Sequence, residues 1–390
     1  MNTIRVVIIG IGNCASALIQ GVTLSKYEKL QGLTFEEIGG YKANTIEFVG
    51  AYDVDERKVG KSLGEAIFAK PNCCYSLYDK AKTEPSLSQV FVKQGPRLDG
   101  IAPHMLKEKE DVSFRPLPDN FDYFEIKKHL EDLKADVLIN YLPVGSQMAT
   151  EFWANMCLEV GISFLNCIPV FIASDPIWEK KFIDKGLPLI GDDMRSQFGA
   201  SILSQMLQEL ALDRGHEVLC HIQTNTGGNT DFLNMCDKSR LASKKISKEN
   251  VIKASHDLKM KDSSDSYLYA GPSDYISYYG DQKIANFHLE LKGFGGAPVI
   301  FDAKLSVQDS PNSAGVVIDA IRFLKVAKEL GLCGSLRGAS AFTQKSPPEQ
   351  LLFKDALYEC EKLALRELTL KTKTQIRHCH YVNALNENEM

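Results

Sequence analysis

Arg5 to Ile9 reads RVVII, a β-branched run followed without a break by Gly10-Ile11-Gly12-Asn13-Cys14-Ala15-Ser16 and then Ala17-Leu18-Ile19. A short, continuously apolar segment of this kind predicts a parallel strand buried on both faces. The glycines predict a tight turn and the apolar residues beyond them a helix, so the chain opens as strand, glycine turn, helix. That order is the context a dinucleotide fingerprint requires, because the turn brings backbone close to a pyrophosphate and the helix start offers it free N–H groups. Ala15 stands as a small substitute at the third glycine position, with Ser16 after it. The same order also fits a plain βαβ unit. A second strand, Glu47 to Tyr52, supports the nucleotide reading: it ends in Asp53, where an acid can hydrogen-bond an adenosine ribose. Asp53 lies about twice the usual ~20 residues beyond the glycines, which makes residues 21 to 46 an insertion.

Residues 57 to 70 are compatible with a helix, and 71 to 120 form a polar excursion interrupted by Pro and Gly. Excursions of that length are commonly functional. Ala135 to Leu142 and Ile162 to Asn166 read as further buried strands. Asn140 and Asn166 stand at strand ends, where an open α/β sheet meets its ligand crevice, and each serves either as a cofactor contact or as a strand-end cap. Ile202, Leu203, Met206, Leu207 and Leu210 repeat at helical spacing, so a helix is expected from about Ser196, its start serving an anion or only capping the helix.

From Glu217 the pattern turns β-rich. Phe287, Leu289 and Leu291 alternate, as do Phe301, Ala303, Leu305 and Val307, which predicts an antiparallel pair with one face solvated or covered by a partner. Helical period returns over Ser313 to Leu330 and over 348 to 370. The expected class is α/β: a discontinuous Rossmann-type dinucleotide-binding domain from residues 1–192 and 306–390, and a second α+β domain with an open mixed sheet at 193–305.

A length of 390 residues accommodates two such domains, and 44% hydrophobic with 24% charged residues is ordinary globular composition. No apolar stretch approaches the ~20 residues that span a bilayer, and the opening segment reads as a strand rather than a signal peptide. These features predict a cytoplasmic protein with no membrane or nucleic-acid partner. The ten cysteines are scattered with no Cys-x-x-Cys pair, which predicts reduced thiols rather than a disulfide framework.

Against a formal net charge of −5, residues 237 to 253 carry six cations and two acids, a local +4. Lys244 and Lys248, one helical turn apart, would repel each other unless an anion lies between them; a solvated basic loop is the alternative. The turn Asn225 to Asn229 and Asp231 lie just upstream. Further polar residues at element ends are Asp193, Ser196, Lys283, Asp309 and Lys345. A nicotinamide site beside several lysines suits oxidation of an alcohol to a ketone followed by chemistry at the adjacent carbon. Lysines desolvated or crowded by other cations shuttle protons, and charged neighbours hold an oxyanion or phosphate.

The blocks GIGNCAS (Gly10 to Ser16), GDDMRSQFGAS (Gly191 to Ser201), NTGGNTDFLNM (Asn225 to Met235), SKKISK (Ser243 to Lys248), GPSDY (Gly271 to Tyr275), QDSPNSAG (Gln308 to Gly315) and KSPPEQL (Lys345 to Leu351) together resemble the inositol-1-phosphate synthase family in its compact bacterial and archaeal form. The resemblance implies an isomerase in which NAD is used and regenerated in one turnover. Glucose 6-phosphate is oxidised at C5, enolised at C6, closed onto C1 by an intramolecular aldol reaction and re-reduced. It implies that Lys244, Lys248, Lys283 and Lys345 divide proton transfer, oxyanion stabilisation and phosphate binding, with Asn229 and Asp231 beside them. Ser196, Gln197 and Gly199, with Lys248 and Lys283, would hold the phosphate. Gly10, Gly12, Asn13, Cys14, Ala15, Ser16, Asp53, Asn140, Asn166 and Asp193 would line the cofactor. Asp231 and Asp309 would suit a magnesium, manganese or zinc ion, with potassium or ammonium as the monovalent alternative. A homotetramer built through the β-rich domain is implied as well. Related NAD-dependent sugar-phosphate dehydrogenases, and an inactive NAD-binding sensor, are the competing expectations.

Overall fold

The computed structural model describes residues 3–237 and 266–367, apart from the side chains of 272 and 273. Seven parallel strands form one sheet: β1 (Ile4–Ile9), β2 (Ile46–Asp53), β3 (Val92–Gln94), β4 (Val137–Asn140), β5 (Ser163–Asn166), β6 (Pro188–Ile190) and β11 (Gly334–Ser335). Their spatial order is β11-β6-β5-β4-β1-β2-β3. Strand order therefore reverses between β1 and β4, and an open α/β sheet binds its ligand at that switch point, beyond the carboxyl ends of the strands. The residues of β1 beyond Arg5 are buried, as the continuous apolar run predicts.

Helix α1 (Asn13–Leu24) follows the glycine turn and packs its apolar side against the long helix α7 (Asp309–Glu329). Leu18, Ile19 and Val22 meet Val317, Ile321 and Leu324 in the core beneath the sheet. Because α1 runs to Leu24, the expected insertion is a loop of about 25–45, clamped by the buried Arg322, which donates to the carbonyls of Phe35, Glu36 and Tyr41. The helix compatible with 57 to 70 shrinks to one turn at Leu63–Ala66, closed by a capping box between Ser62 and Glu65. Gly60 at φ +81° breaks any longer helix.

Four strands make the second sheet: β7 (Glu217–Gly227), β8 (Tyr267–Tyr275), β9 (Gln282–Lys292) and β10 (Pro298–Gln308), in the order β10-β9-β7-β8. The pairs β10/β9 and β9/β7 are antiparallel and β7/β8 is parallel, so the sheet is mixed. Phe287 and Leu289 sit opposite Ala303 and Phe301, in the register that the alternation requires. Helix α5 (Ala200–Asp213) covers one face, with Ala200, Leu203 and Leu207 against Val218, Ala285, Phe287 and Leu289. Helix α7 begins where β10 ends, then runs into the core of the other sheet, so its first residues stand between the two sheets. The amphipathic helix expected over 348 to 370 is observed as Phe353–Ala364. No described helix is long and apolar enough to cross a membrane.

Candidate active site

A single cleft is lined by the glycine turn, the ends of β2 and β4, the segment before α5, the end of β7 and the start of α7. Gly10 has φ +85°, and a Cβ there would lie 2.7 Å from the Tyr141 carbonyl oxygen, so only glycine permits β1 and β4 to approach at the switch point. Gly12 differs: a Cβ on it would meet nothing within 4 Å, and the space it faces is the cleft. Gly12 is also the N-cap of α1 and supplies no capping side chain. The first N–H groups of the helix therefore point into open space with no intrahelical acceptor. This is the geometry that accepts a pyrophosphate, so the residues present fit a dinucleotide.

The turn is held at both ends of one residue. Asp53 accepts from the Ile11 N–H at 2.7 Å, while the ammonium of Lys58 donates to the Ile11 carbonyl at 2.7 Å and to Asn72 at 3.0 Å. Asp53 also accepts from the N–H groups of Val54 and Asp55, and its carboxylate edges the cleft. The sequence reading missed Lys58: nothing in its local context distinguishes it from a surface lysine, yet it is 2% exposed.

Asn140 and Asn166 are corrected by the structure. Both are 0% exposed and neither reaches the cleft. Asn140 donates to Thr150 Oγ1 and Asn166 Oδ1, while Asn166 donates to the carbonyls of Ile168 and Val170 and to Asp192. They tie strand ends to the following loops, the capping alternative. Ser16 is likewise buried and outside the cleft lining, whereas Asn13, Cys14 and Ala15 line it.

The helix expected from Ser196 begins at Ala200, with Gly199 as its N-cap. Ser196 to Gly199 form a close turn in which a Cβ at Gly199 would meet Ser196 Cβ at 2.7 Å. Ser196, Gly199, Ala200 and Ser201 line the cleft. Gln197 does not: its amide donates to Thr34 and its backbone N–H to the Asn312 carbonyl, turning the side chain towards the insertion.

Two lysine–aspartate pairs meet in this cleft. Lys345 Nζ lies 2.8 Å from Asp193 Oδ1, with Asp193 at φ +63° in the loop after β6. Lys283, on β9, pairs with Asp309, the first residue of α7. The short helix α6 (Thr230–Asn234) is capped by Asn229, whose Oδ1 accepts from the N–H groups of Asp231 and Phe232, and Asp231 lines the cleft. Gly228 is required here, since a Cβ would lie 2.4 Å from the Ile276 carbonyl.

Asp281, two residues before Lys283, is a further acid the sequence reading did not single out. It accepts from Asn229, from Ser310 N–H at 3.2 Å and from Ser310 Oγ at 2.7 Å, joining α6 to the start of α7. Burial, then the charge of Asp309, raises its pKa to about 6. The Cys14 thiol is pushed up to about 12 by burial and then by the charges of Asp309, Asp281 and Asp231.

Among the described residues no three His, Cys, Asp or Glu side chains converge to hold a metal ion. Asp309 is engaged by the Lys283 ammonium. Asp231 and Asp309 both line the cleft. Lys244 and Lys248, with the rest of the basic segment, lie outside the described residues.

The myo-inositol-1-phosphate synthase family model matches residues 199–310, which hold α5, the described strands of the second sheet and the start of α7. Inositol-3-phosphate synthase of Mycobacterium tuberculosis (strain CDC 1551 / Oshkosh) is 43% identical over 354 residues, covering 89% of this chain and 92% of that protein. The enzyme of the same name from Corynebacterium glutamicum is 43% identical over 356 residues, covering 90% and 95%. A crystal structure of a myo-inositol-1-phosphate synthase-related protein from Thermotoga maritima shares the fold with a TM-score of 0.76 at 24% identity, covering 94% of this chain and all of that one. With identity of this order sustained across both sheets and the cleft between them, the chain belongs to the inositol-3-phosphate synthase family.

Proposed function

We propose that this chain is an isomerase that converts D-glucose 6-phosphate to 1L-myo-inositol 1-phosphate, with NAD reduced and reoxidised within each turnover. The observation that carries the reading is the meeting of Lys345–Asp193 and Lys283–Asp309 in the same cleft as the open glycine turn. NAD, when bound, supplies the hydride acceptor for oxidation at C5 and returns the hydride after ring closure. The α1 N–H groups beyond Gly12 hold the pyrophosphate, and Asp53, already fixed by three amides, accepts from a ribose hydroxyl.

Lys345 first passes an ammonium proton to Asp193, 2.8 Å away; the neutral amine then takes the proton of the C5 hydroxyl as the ketone forms, and both transfers reverse at the final reduction. Enolisation at C6 and attack on C1 both develop negative charge on oxygen, which a fixed ammonium in a partly dry site stabilises better than water does. Lys283 and the turn Ser196 to Gly199, with the unpaired N–H groups at the start of α5, hold the phosphate. From the family resemblance alone, Lys248 would serve the phosphate and Lys244 the reacting oxygens; both lie outside the described residues. Asn229 aims Asp231 at the cleft through its cap.

No step is assigned to a cation. The second sheet would assemble a homotetramer, a reading supported by the exposed apolar residues Val299, Ile300 and Phe301 on β10.

Phosphorus NMR of the protein with glucose 6-phosphate and catalytic NAD tests the proposal. An inositol phosphate signal without accumulating NADH is expected. Stoichiometric NADH would mark a dehydrogenase, and NAD binding without product an inactive sensor.

A further inference from the structure

The turn from Ser196 to Gly199 is clasped from behind the cleft by one residue. Asn312, in the first turn of α7, accepts from the Gln197 N–H through its own carbonyl at 2.6 Å. Its side-chain amide takes both backbone groups of Phe198: Oδ1 accepts from the Phe198 N–H at 3.2 Å, and Nδ2 donates to the Phe198 carbonyl at 2.8 Å. Among the described residues these three backbone groups have no other hydrogen-bond partner. Asn312 does not line the cleft, whereas Asp309, Ser310 and Ser313 of α7 do, as do Ser196 and Gly199 of the turn.

The two ends of the turn are not held alike. Gln197 is anchored twice, by the Asn312 carbonyl and by Thr34 Oγ1, which lies 2.6 Å from its amide nitrogen. Phe198 is 59% exposed, so its ring gives the backbone no buried anchor. Its backbone leads directly into Gly199, an N-cap without a capping side chain, and so into the first N–H groups of α5 at the cleft. The Asn312 side chain therefore sets the direction of this end. An amide suits the task, because Phe198 offers one donor and one acceptor. A carboxylate would turn an oxygen on the Phe198 carbonyl, and an apolar side chain would pair neither group.

We propose that Asn312 is a positioning residue for the substrate phosphate. Acting through Phe198, it aims the turn and the α5 N–H groups into the cleft. It also fixes them to the turn of α7 that carries Asp309, the partner of Lys283. A phosphate seated on the turn is thereby set at one distance from the Lys283 ammonium. The inference rests on the proposed function for the identity of the anion, not for the geometry of the clasp.

Asn312→Ala keeps the main-chain bond to Gln197, places the best helix former in α7 and leaves the freed Phe198 groups to water. Its melting temperature should stay close to that of the wild type. We expect kcat/KM for glucose 6-phosphate to fall about 10- to 100-fold, the scale of a misplaced binding group, with the dissociation constant for NAD unchanged. An unchanged kcat/KM would overturn the proposal, and so would a comparable loss of NAD affinity, which marks general loosening. Asn312→Ser takes the same test if the alanine variant does not fold. Failure of both to fold also overturns the proposal, since the side chain then serves the fold. If the wild-type protein forms no inositol phosphate, the functional reading fails separately. Calorimetric affinity of the NAD-saturated protein for inorganic phosphate then decides, with weaker binding by the variant expected and equal or absent binding in both overturning the role of Asn312.

Discussion

Lys345 and Asp193 are joined twice: the ammonium lies 2.8 Å from the carboxylate, and the Lys345 N–H donates to the Asp193 carbonyl at 2.7 Å. The segment after β6 and the segment after α8 (Arg337–Thr343) are thereby fixed to each other at the cleft. A lysine so placed has little freedom to relocate, which is what proton transfer to a defined substrate atom requires.

Replacing Lys345 with methionine should lower turnover by about 10²- to 10⁴-fold, the usual contribution of a positioned acid–base group. It also leaves the Asp193 carboxylate buried without its ammonium, so the melting temperature should fall. Adding Asp193→Asn is expected to recover stability without recovering turnover. Phosphorus NMR of product formation and thermal unfolding of the single and double variants separate the two effects.

The two glycines of the turn should fail in different ways. Gly10→Ala forces a side chain into φ +85° and against the Tyr141 carbonyl, so it should destabilise the fold by about 1–3 kcal/mol or more. Gly12 has an ordinary φ of −87° and open space at its Cβ position. Gly12→Val should fold with a near wild-type melting temperature yet bind NAD much more weakly, because the new side chain occupies the approach to the helix start. Thermal unfolding with and without NAD, together with NAD titration, distinguishes them.

Asp281 predicts a pH dependence of stability. Its folded pKa of about 6 exceeds the ordinary carboxylate value of 3.8, so between those limits the folded protein binds more protons than the unfolded chain. Stability contributed by this group is therefore present at low pH and lost as pH rises through about 6. Asp281→Asn should flatten that part of the profile. It should also cost about 1–3 kcal/mol, because an amide nitrogen faces donors that the carboxylate accepted from. Denaturant unfolding from pH 4 to pH 7, wild type against variant, measures the difference.

With Asp309 engaged by the Lys283 ammonium, turnover is expected to survive chelation when potassium or ammonium is present. Assays of EDTA-dialysed protein, with single cations added back, check this. Complete loss restored by magnesium, manganese or zinc alone would contradict it.

Local pattern determined much of this protein. A β-branched run ending in glycines specifies strand, turn and helix through nearest-neighbour sterics, and strict alternation specifies which face of β9 and β10 is covered. The motif blocks carried the family and most of the cleft residues, because binding groups cluster at element ends that glycine, proline and capping residues mark in the sequence. Tertiary structure alone decided the rest. Asn140 and Asn166 stand at strand ends as cofactor ligands would, but Thr150 and the Asn166 side chain claim the amide of Asn140, and the segment after β5 together with Asp192 claims that of Asn166. Gln197 turns away because Thr34, 163 residues distant, receives its donor. Lys58 and Asp281 gain their roles from partners on other elements, and partners so far apart in the chain leave no local periodicity to read.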